Sequence, residues 1–313
     1  MTSMHGVPFG KHETIRLGLV GAGGRGLGQL NELLACDGFE ITAVADVNEA
    51  AVERAKQRVI DAGKKPPLVF SGRYAWQQLL ELDIDLAYIA TDWDSHAPIA
   101  VAAMKAGKHA AVEVPAAVTL DDCWQMVETS EATRRHCIML ENCCYDYWET
   151  IVKHMVEAGL LGEITHAECA YIHDLRSMLL QDRGEGLWRR DPHITRDSNH
   201  YPTHGLGPVA QILGIGEEDA FDYMVSMSSR SAALAEYRDV TLPPDDPKRK
   251  ESYIAGDMNT SLIRTKLGRT IVLQHTVTLP RPYDRNFLIS GTRGTFRDLP
   301  PRLFIDGISQ GEE

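Results

Sequence analysis

LGLVGAGGRGLGQL, residues 17–30, is the stretch that decides the fold of the first part of this chain. It places Gly21, Gly23 and Gly26 in G-x-G-x-x-G spacing, directly after a strand-like run and at the start of a helical one. The first glycine permits a tight turn, and the second lets backbone amides approach a pyrophosphate that the following helix N-terminus stabilises. In this context the motif predicts a dinucleotide site, although such a motif alone is also compatible with a merely flexible turn.

Short apolar runs alternate with amphipathic helical patterns around this motif, from Ile15 to about Leu140. Such alternation is typical of βαβ units that build a parallel sheet. The sequence therefore predicts an α/β domain, a doubly wound Rossmann sheet, over residues 1–141. The six runs are IRLGLV, FEITAVA, PLVF, DLAYIA, HAAVEV and CIMLEN.

The pattern changes after Asn142. One more helical segment, Tyr147–Glu157, precedes strand-like runs that indicate an α+β domain with a largely antiparallel open sheet over residues 142–313. Two domains also agree with the length of 313 residues, at about 100–200 residues per domain. The strand-like runs are HAECAYI, FDYMVSMS, MNTSLIRT, TIVLQHTV and RNFLIS.

Two irregular stretches interrupt these runs. Residues 173–202 contain Trp188, three histidines and several arginines, and loops of this length are usually functional or disordered; we expect a functional one. Residues 236–252, with PPDDPKRK, are expected to form a solvated excursion.

Asp46 ends the second apolar run, about 20 residues beyond the glycine motif. A carboxylate there accepts hydrogen bonds from the adenosine ribose hydroxyls and repels a 2′-phosphate, which favours NAD over NADP. Arg25, within the glycine loop, is a candidate phosphate contact.

Polar and aromatic residues follow the fourth and fifth strand-like runs. Trp93 and His96 come after the fourth run, and Glu113 and Val114 come after the fifth. Ligands of open α/β sheets bind at this carboxyl edge, so we expect these residues near the cofactor. The alternative interpretation is structural, with Ser95 as a helix N-cap and His96 on the surface.

Composition excludes several classes of partner. Lys and Arg number 32 against 44 Asp and Glu, and the net charge of −12 repels nucleic-acid phosphates and anionic membranes. The six cysteines show no C-x-x-C spacing, which fits a reducing compartment. The N-terminal residues lack an apolar signal region and a twin arginine, so we expect a cytoplasmic protein without membrane spans.

These segments resemble the superfamily of glucose-fructose oxidoreductase and inositol dehydrogenase, in which a Glu-Lys-Pro motif follows the fifth strand. In sugar dehydrogenases of that superfamily the lysine assists proton removal from the hydroxyl being oxidised. The corresponding residue here is Val114, which cannot do so. This departure argues against a plain sugar dehydrogenase.

The chain looks most similar to glycoside hydrolase family 109, the NAD-dependent α-N-acetylgalactosaminidases. The resemblance extends from Arg16 to about Asp306 and rests on EVPAAVTLDDCWQMV, MLENCCYD, AYIHDLR and NHYPTHGLGPVAQ. Members of this family usually continue past the equivalent of Glu313 and often carry a twin-arginine export signal, so the second domain is expected to be shorter than in its relatives.

Site residues are carried over from this resemblance position by position. It implies that NAD is contacted by Arg25, Gly26, Asp46, Trp93, Asp94, Ser95, His96, Glu113, Val114 and Asn142. It implies that the sugar is surrounded by Tyr171, Arg189, Tyr201, His204 and Tyr283.

The resemblance also implies a mechanism. The sugar is oxidised transiently at C3 by NAD, the C1 substituent is eliminated, water adds, and C3 is reduced again, as in the recognised NAD-dependent exceptions among glycosidases. We expect His204 to be a general acid/base, because histidine titrates near neutrality, and Tyr171, assisted by Tyr201, to be a base near C2 or C3. Tyr201 and His204 share a face if they lie on one helical turn.

Each catalytic candidate has a structural alternative. His204 could cap a helix, Tyr171 could fill a sheet face, and Glu141 is either catalytic or orients Asn142 and a tyrosine. Arg189 and Tyr283 could be ordinary loop residues. His173 and Asp174 do not have the ligand spacing of a closed metal site, so no metal is expected.

Two alternative functions stay open at this point. One is a net NAD-dependent oxidoreductase acting on a sugar or polyol, and the other is a non-catalytic NAD-binding protein. We expect a small-molecule or glycan substrate and, because the second domain presents an open sheet face, a homodimer.

Overall fold

The computed structural model describes residues 3–309, which form two compact units, one ending at Leu140 and the other beginning at Glu141. The chain ends, on which the expectations about an export signal and C-terminal length depend, lie partly outside the described residues. None of the helices within 3–309 combines the length and the apolar character needed to cross a bilayer.

The first unit is a six-stranded parallel sheet with the strand order β3-β2-β1-β4-β5-β6, as the alternating runs predict. Apolar clusters cover both of its faces. Its elements are β1 (Ile15–Val20), α1 (Gly24–Ala35), β2 (Phe39–Asp46), α2 (Glu49–Asp61), β3 (Leu68–Ser71), α3 (Ala75–Leu80), β4 (Leu86–Ile89), α4 (Trp93–Lys105), β5 (His109–Val112), α5 (Leu120–Thr133) and β6 (Cys137–Met139).

This strand order creates the position where ligands bind. Successive strands are added on opposite sides of the β1–β4 pair, and the loops after β1 and β4 lie at the same carboxyl edge. Side chains start the helices there: the Asp92 carboxylate accepts the backbone N–H of Ser95, and the Asn48 side chain accepts that of Ala50.

The second unit is a seven-stranded mixed sheet, β13-β12-β11-β7-β10-β9-β8, in which only the β7–β10 pair is parallel. Its strands are β7 (Ile164–Ile172), β8 (Phe221–Ser228), β9 (Asn259–Thr265), β10 (Thr270–Thr276), β11 (Leu288–Gly291), β12 (Gly294–Arg297) and β13 (Arg302–Ile305). Its α-helices are α6 (Tyr147–Glu157), α7 (Arg176–Leu179), α8 (Asp191–Thr195), α9 (Thr203–Ile212) and α10 (Ala233–Thr241). Short 3-10 helices span Asn142–Tyr145, Gly184–Leu187 and Pro247–Lys250.

One face of this sheet packs against α6 and α9. Side chains alternate along each strand, so Ile271 and Leu273 of β10 face the core beside Val209 of α9. On the opposite face Tyr223 of β8 and Leu262 of β9 are more than half exposed. The predicted open sheet face is therefore present.

The excursion expected over residues 236–252 is exposed at more than half of its residues, but two of its charged side chains are anchored in the fold. Its first residues continue α10, and Arg238 and Lys248 are buried. Arg238 donates to the backbone oxygen of Glu251, and the Lys248 ammonium lies 2.8 Å from the Asp182 carboxylate. These partners compensate the charges, so the segment packs although its composition is polar.

Candidate active site

The glycine loop of the first unit has the geometry of a dinucleotide cradle. Gly21 has φ +91, and a Cβ there would lie 2.4 Å from the Ala90 backbone oxygen; a Cβ on Gly26 would lie 1.9 Å from the Gly21 oxygen. Gly23 and Gly24, by contrast, face open space, and α1 has no side-chain cap. Backbone amides at the start of α1 are therefore accessible to a phosphate group, so the residues present fit the pyrophosphate of NAD.

Asp46 lies at the end of β2, beside this loop. Its carboxylate accepts the backbone N–H groups of Ala22, at 2.6 Å, and Asn48, at 2.8 Å. A carboxylate has further lone pairs beyond these two bonds, so it retains capacity for the hydroxyls of a ribose. The structure thus places Asp46 where the sequence predicts it.

Arg25 and Glu113 are brought together by the fold. The Arg25 Nε donates to the Glu113 Oε1 at 2.9 Å, and the Tyr88 hydroxyl donates to the same oxygen at 3.2 Å. Glu113 is buried. The burial of Tyr88 itself, together with the nearby charge of Glu113, raises the pKa of Tyr88. Arg25 therefore joins the glycine loop to the end of β5, an interaction that the sequence analysis did not anticipate.

The predicted residues after β4 start α4. Trp93 and His96 are buried, Asp94 is exposed, and the Ser95 hydroxyl donates to Thr91 at 2.7 Å. The ring nitrogens of His96 lie 2.8 Å from the Pro115 oxygen and 3.1 Å from the Thr91 oxygen.

The structural alternative considered for Ser95, a helix N-cap, and the one considered for His96, a surface position, are both wrong. The N-cap of α4 is Asp92 rather than Ser95, and His96 is 1% exposed rather than on the surface. Burial lowers the pKa of His96. Because its ring contacts the loops after β4 and β5, it holds them together. Val114 is also buried, so the loop after β5 carries an apolar side chain at this position.

In the second unit, Glu141 and His204 form a hydrogen-bonded dyad. Glu141 caps the 3-10 helix Asn142–Tyr145 through the backbone N–H of Cys143, and its Oε1 lies 2.7 Å from the Nδ1 of His204 on α9. Burial would raise the pKa of the Glu141 carboxyl, but the His204 hydrogen bond and charge hold it below its ordinary value. Glu141 thus orients His204 rather than Asn142 or a tyrosine. His204 is not a helix cap, because the N-cap of α9 is Pro202. Asn142 is exposed at the start of the 3-10 helix.

Aromatic rings surround this dyad. The ring centroids of Tyr171 and Tyr201 lie 5.2 Å and 4.7 Å from that of His204. Tyr201 lies before the first residue of α9, whereas His204 lies within the helix. The two residues therefore do not share a helical turn, but their rings are neighbours. Tyr283 is 43% exposed, and its ring centroid lies 6.1 Å from that of Tyr171 in an edge-on contact.

Tyr171 has two polar neighbours. Its hydroxyl lies 3.0 Å from the Nδ1 of His173 and 3.5 Å from the Nη2 of Arg189. Burial raises the pKa of Tyr171, and the nearby guanidinium of Arg189 opposes that rise. Arg189 also lies over the Tyr201 ring, 5.0 Å from its centroid, and pairs with Glu185.

Sequence reasoning considered His173 only as a metal ligand and missed its contact with Tyr171. Its position at the end of the HAECAYI strand, two residues after the tyrosine, was the available signal. It also missed Arg285, whose guanidinium contacts Asp146, the buried Glu149 and the Cys143 Sγ. No local pattern marks that ion pair, because its partners lie on distant segments.

Glu141, Cys143 and His204 could also be considered as a metal site, since three potential ligand atoms lie within 4.8 Å of one another. Metal binding would break the bond between Glu141 and His204 and require a thiolate. Burial raises the pKa of Cys143 to about 12, which disfavours the thiolate. The guanidinium of Arg285, 3.1 Å from the sulfur, would repel a metal cation. We therefore interpret the group as a hydrogen-bonded dyad, and the absence of a metal stays a prediction.

The two units together define a class of protein: an NAD-binding Rossmann domain followed by a mixed-sheet domain with a cluster of acid/base side chains. Residues 15–141 match the model of the oxidoreductase family with an NAD-binding Rossmann fold, and residues 145–313 match that of the glycosyl hydrolase 109 C-terminal domain. The chain belongs to glycosyl hydrolase family 109 and is an NAD-dependent glycoside hydrolase.

Individual relatives agree with this assignment. A glycosyl hydrolase family 109 protein of Solibacter usitatus is 52% identical, over 97% of this chain and 70% of its own. An α-N-acetylgalactosaminidase of Shewanella oneidensis is 42% identical, over 99% and 68%. The crystal structure of scyllo-inositol dehydrogenase from Lactobacillus casei, with bound NAD(H) and scyllo-inositol, has a TM-score of 0.69 at 16% identity, covering 91% of this chain and 76% of that one. At that identity it supports the fold alone.

Proposed function

We propose that this protein hydrolyses α-linked N-acetylgalactosamine by transient oxidation at C3, elimination of the C1 substituent, water addition and re-reduction. The observation that carries the proposal is the Glu141–His204 dyad beside Tyr171, because such a route needs several proton transfers at neighbouring atoms. The 42% identity with an α-N-acetylgalactosaminidase supports this choice of substrate.

When bound, NAD⁺ supplies the reversible two-electron oxidation of the sugar. The residues expected to hold it are those of the glycine loop together with Asp46, Trp93–His96, Glu113, Val114 and Asn142. The repulsion between Asp46 and a 2′-phosphate is the reason that we propose NAD rather than NADP.

The dyad determines where His204 can exchange a proton. With Glu141 ionised, the bond between Oε1 and Nδ1 keeps a proton on Nδ1, so the Nε2 of the neutral ring is an acceptor. After Nε2 accepts a proton, the carboxylate stabilises the imidazolium, as in other carboxylate–histidine pairs. His204 thereby acts as a general acid/base for the glycosidic oxygen.

Tyr171 acts as the base near C2 or C3. Burial raises the pKa of Tyr171, and the Arg189 charge only opposes that rise, so the base function depends on the hydrogen bond to His173, which can take up the phenol proton. Tyr201 packs against both Tyr171 and His204 and limits access of water to them. Arg189 and Tyr283 are proposed to contact the sugar.

The test uses an α-N-acetylgalactosaminide of p-nitrophenol, unlabelled and deuterated at C3. Release of p-nitrophenol without net NADH, a primary isotope effect and solvent deuterium at C2 of the product are expected. Net accumulation of NADH would instead favour an oxidoreductase. NAD binding without glycoside hydrolysis and without NADH formation would favour a regulatory protein. The cytoplasmic location and the homodimer stay predictions.

A further inference from the structure

Residues 283–286 form a short segment between β10 and β11 whose backbone is attached to the end of β7. An isolated antiparallel bridge joins the two, and the Arg285 backbone oxygen accepts the N–H of Ala170 at 2.5 Å. The backbone of this segment is therefore fixed beside the strand that carries Tyr171. The side chain of Tyr283 is 43% exposed, however, so a further contact is needed to hold its hydroxyl in one place.

The guanidinium of Arg285 is anchored on the segment that begins with Glu141. Its Nη1 lies 2.6 Å from the Asp146 Oδ2, and its Nη2 lies 2.5 Å from the Glu149 Oε1. Nη1 is also 3.1 Å from the Cys143 Sγ. Glu149 is 2% exposed, and a carboxylate so deeply buried requires a compensating charge. Burial raises the pKa of Glu149, and the Arg285 charge opposes that rise.

The same guanidinium contacts Tyr283. Nη1 donates to the Tyr283 hydroxyl at 3.4 Å, and the Arg285 Cζ lies 5.9 Å from the ring centroid, within the range of a cation–π contact. Burial raises the pKa of Tyr283 to about 12, and the guanidinium opposes the rise. The ring held in this way makes edge-on contacts with Tyr171 and His173. Arg285 thus joins Tyr283 to a buried, charged anchor.

Ion pairing alone does not require arginine at this position. Nη1 and Nη2 serve two different carboxylates, and Nη1 lies between Asp146 and the Tyr283 hydroxyl. A lysine donates from a single atom, so an ammonium drawn to the buried Glu149 leaves the position that Nη1 occupies. Lysine would therefore retain the compensating charge and lose the contact with Tyr283.

We propose that Arg285 is a positioning residue that fixes the Tyr283 hydroxyl in the sugar site. It contributes to affinity for N-acetylgalactosamine rather than to the rate of proton transfer. The proposal rests on the proposed glycosidase function, in which Tyr283 contacts the sugar. The catalytic dyad is not expected to change, because the backbone N–H of Cys143 holds the Glu141 carboxylate, whereas Arg285 contacts the sulfur of Cys143.

A double-mutant cycle tests the proposal with p-nitrophenyl α-N-acetylgalactosaminide. Arg285→Lys and Tyr283→Phe are each expected to raise KM about tenfold, the effect of one lost hydrogen bond, and to change kcat less than about twofold. The double variant should have the KM of Tyr283→Phe alone, because both substitutions remove the same contact. Arg297→Lys, at an exposed position of β12, is the matched control and should change neither constant.

Three results would overturn the positioning role. They are an unchanged KM in Arg285→Lys, a fall in kcat without a rise in KM, and single effects that multiply to about a hundredfold in the double variant. Thermal unfolding shows whether Arg285→Lys is folded. If it is not, the double substitution Arg285→Gln/Glu149→Gln, which leaves no unpaired charge at Glu149, takes its place in the same cycle.

Failure of the glycosidase proposal is distinguishable from failure of this one. If the unmodified protein hydrolyses no α-N-acetylgalactosaminide, the glycosidase proposal fails, and the cycle is repeated on the dissociation constant of free N-acetylgalactosamine, measured by saturation-transfer NMR. Losses of affinity in Arg285→Lys and Tyr283→Phe that do not add in the double variant support the positioning role. Additive losses, or absence of binding to the unmodified protein, refute it.

Discussion

The Nδ1 of His204 lies 2.7 Å from the Oε1 of Glu141, although the two residues are 63 positions apart in the chain. The same carboxylate oxygen accepts the backbone N–H of Cys143 at 3.0 Å, which fixes its orientation at the start of a 3-10 helix. His204 is therefore held in one tautomer and one ring orientation by a group that is itself immobilised. A loss of this bond should affect the chemistry more than the fold.

Glu141→Gln should reduce kcat for glycoside hydrolysis by about 10²–10⁴, the usual contribution of a general acid/base. The amide keeps the shape of the side chain but removes the charge that stabilises a protonated His204. Affinity for NAD, measured by calorimetry, should not change. The matched control is Glu163→Gln, an exposed glutamate in the same unit. Equal kcat in the two variants would contradict a catalytic dyad.

Gly26→Ala should abolish NAD binding because its Cβ would lie 1.9 Å from the Gly21 oxygen and displace the glycine loop. Gly28→Ala lies two residues further along α1 and faces open space. It should retain NAD affinity and raise stability by about 0.5–1 kcal/mol, since alanine is favoured over glycine within a helix. Calorimetric titration with NAD and thermal unfolding of both variants check this pair; similar affinities would refute the cradle.

Whether a feature could be predicted from the sequence depends on how far apart in the chain its interacting residues lie. The glycine motif and the alternating runs are local signals, and they predicted the strands and helices of the first unit. The strands β12 and β13 were missed because Gly294–Arg297 and Arg302–Ile305 are only four residues long, too short for an alternating pattern to be recognised. The contact between Tyr171 and Arg189, like the Arg285 ion pairs, depends on how distant segments pack, and no local pattern in one sequence encodes it.

Asp46→Asn should shift cofactor preference toward NADP. The substitution removes the negative charge that would repel a 2′-phosphate, while an amide oxygen remains to accept one of the backbone N–H groups of Ala22 and Asn48. We expect the ratio of NAD to NADP dissociation constants to change by about tenfold, equivalent to roughly 1.4 kcal/mol. Asp37→Asn, at an exposed position of the same unit outside the proposed cofactor site, is the control. An unchanged ratio in Asp46→Asn would show that Asp46 does not discriminate between the cofactors.

Acid should destabilise the second unit through three buried histidines. Burial lowers the pKa of His193 to about 3 and that of His200 to about 4, and lowers that of His275 well below its ordinary value. Their rings adjoin one another, with centroids 4.9 Å apart for His193 and His200 and 6.0 Å for His200 and His275. Charged groups facing them include Arg189, which further disfavours protonation.

The sign of the effect follows from proton binding. Between about pH 6.5 and pH 4 the unfolded chain protonates these imidazoles and the folded chain does not, so the free energy of unfolding falls as pH falls. Each histidine contributes up to about 1.4 kcal/mol per pH unit in that window. His200→Asn should therefore flatten the decline measured by urea unfolding at pH 7, 6 and 5, whereas Ser252→Asn, at an exposed position without a titratable side chain, should leave it unchanged. A decline of equal slope in both variants would mean that His200 is already protonated in the folded protein.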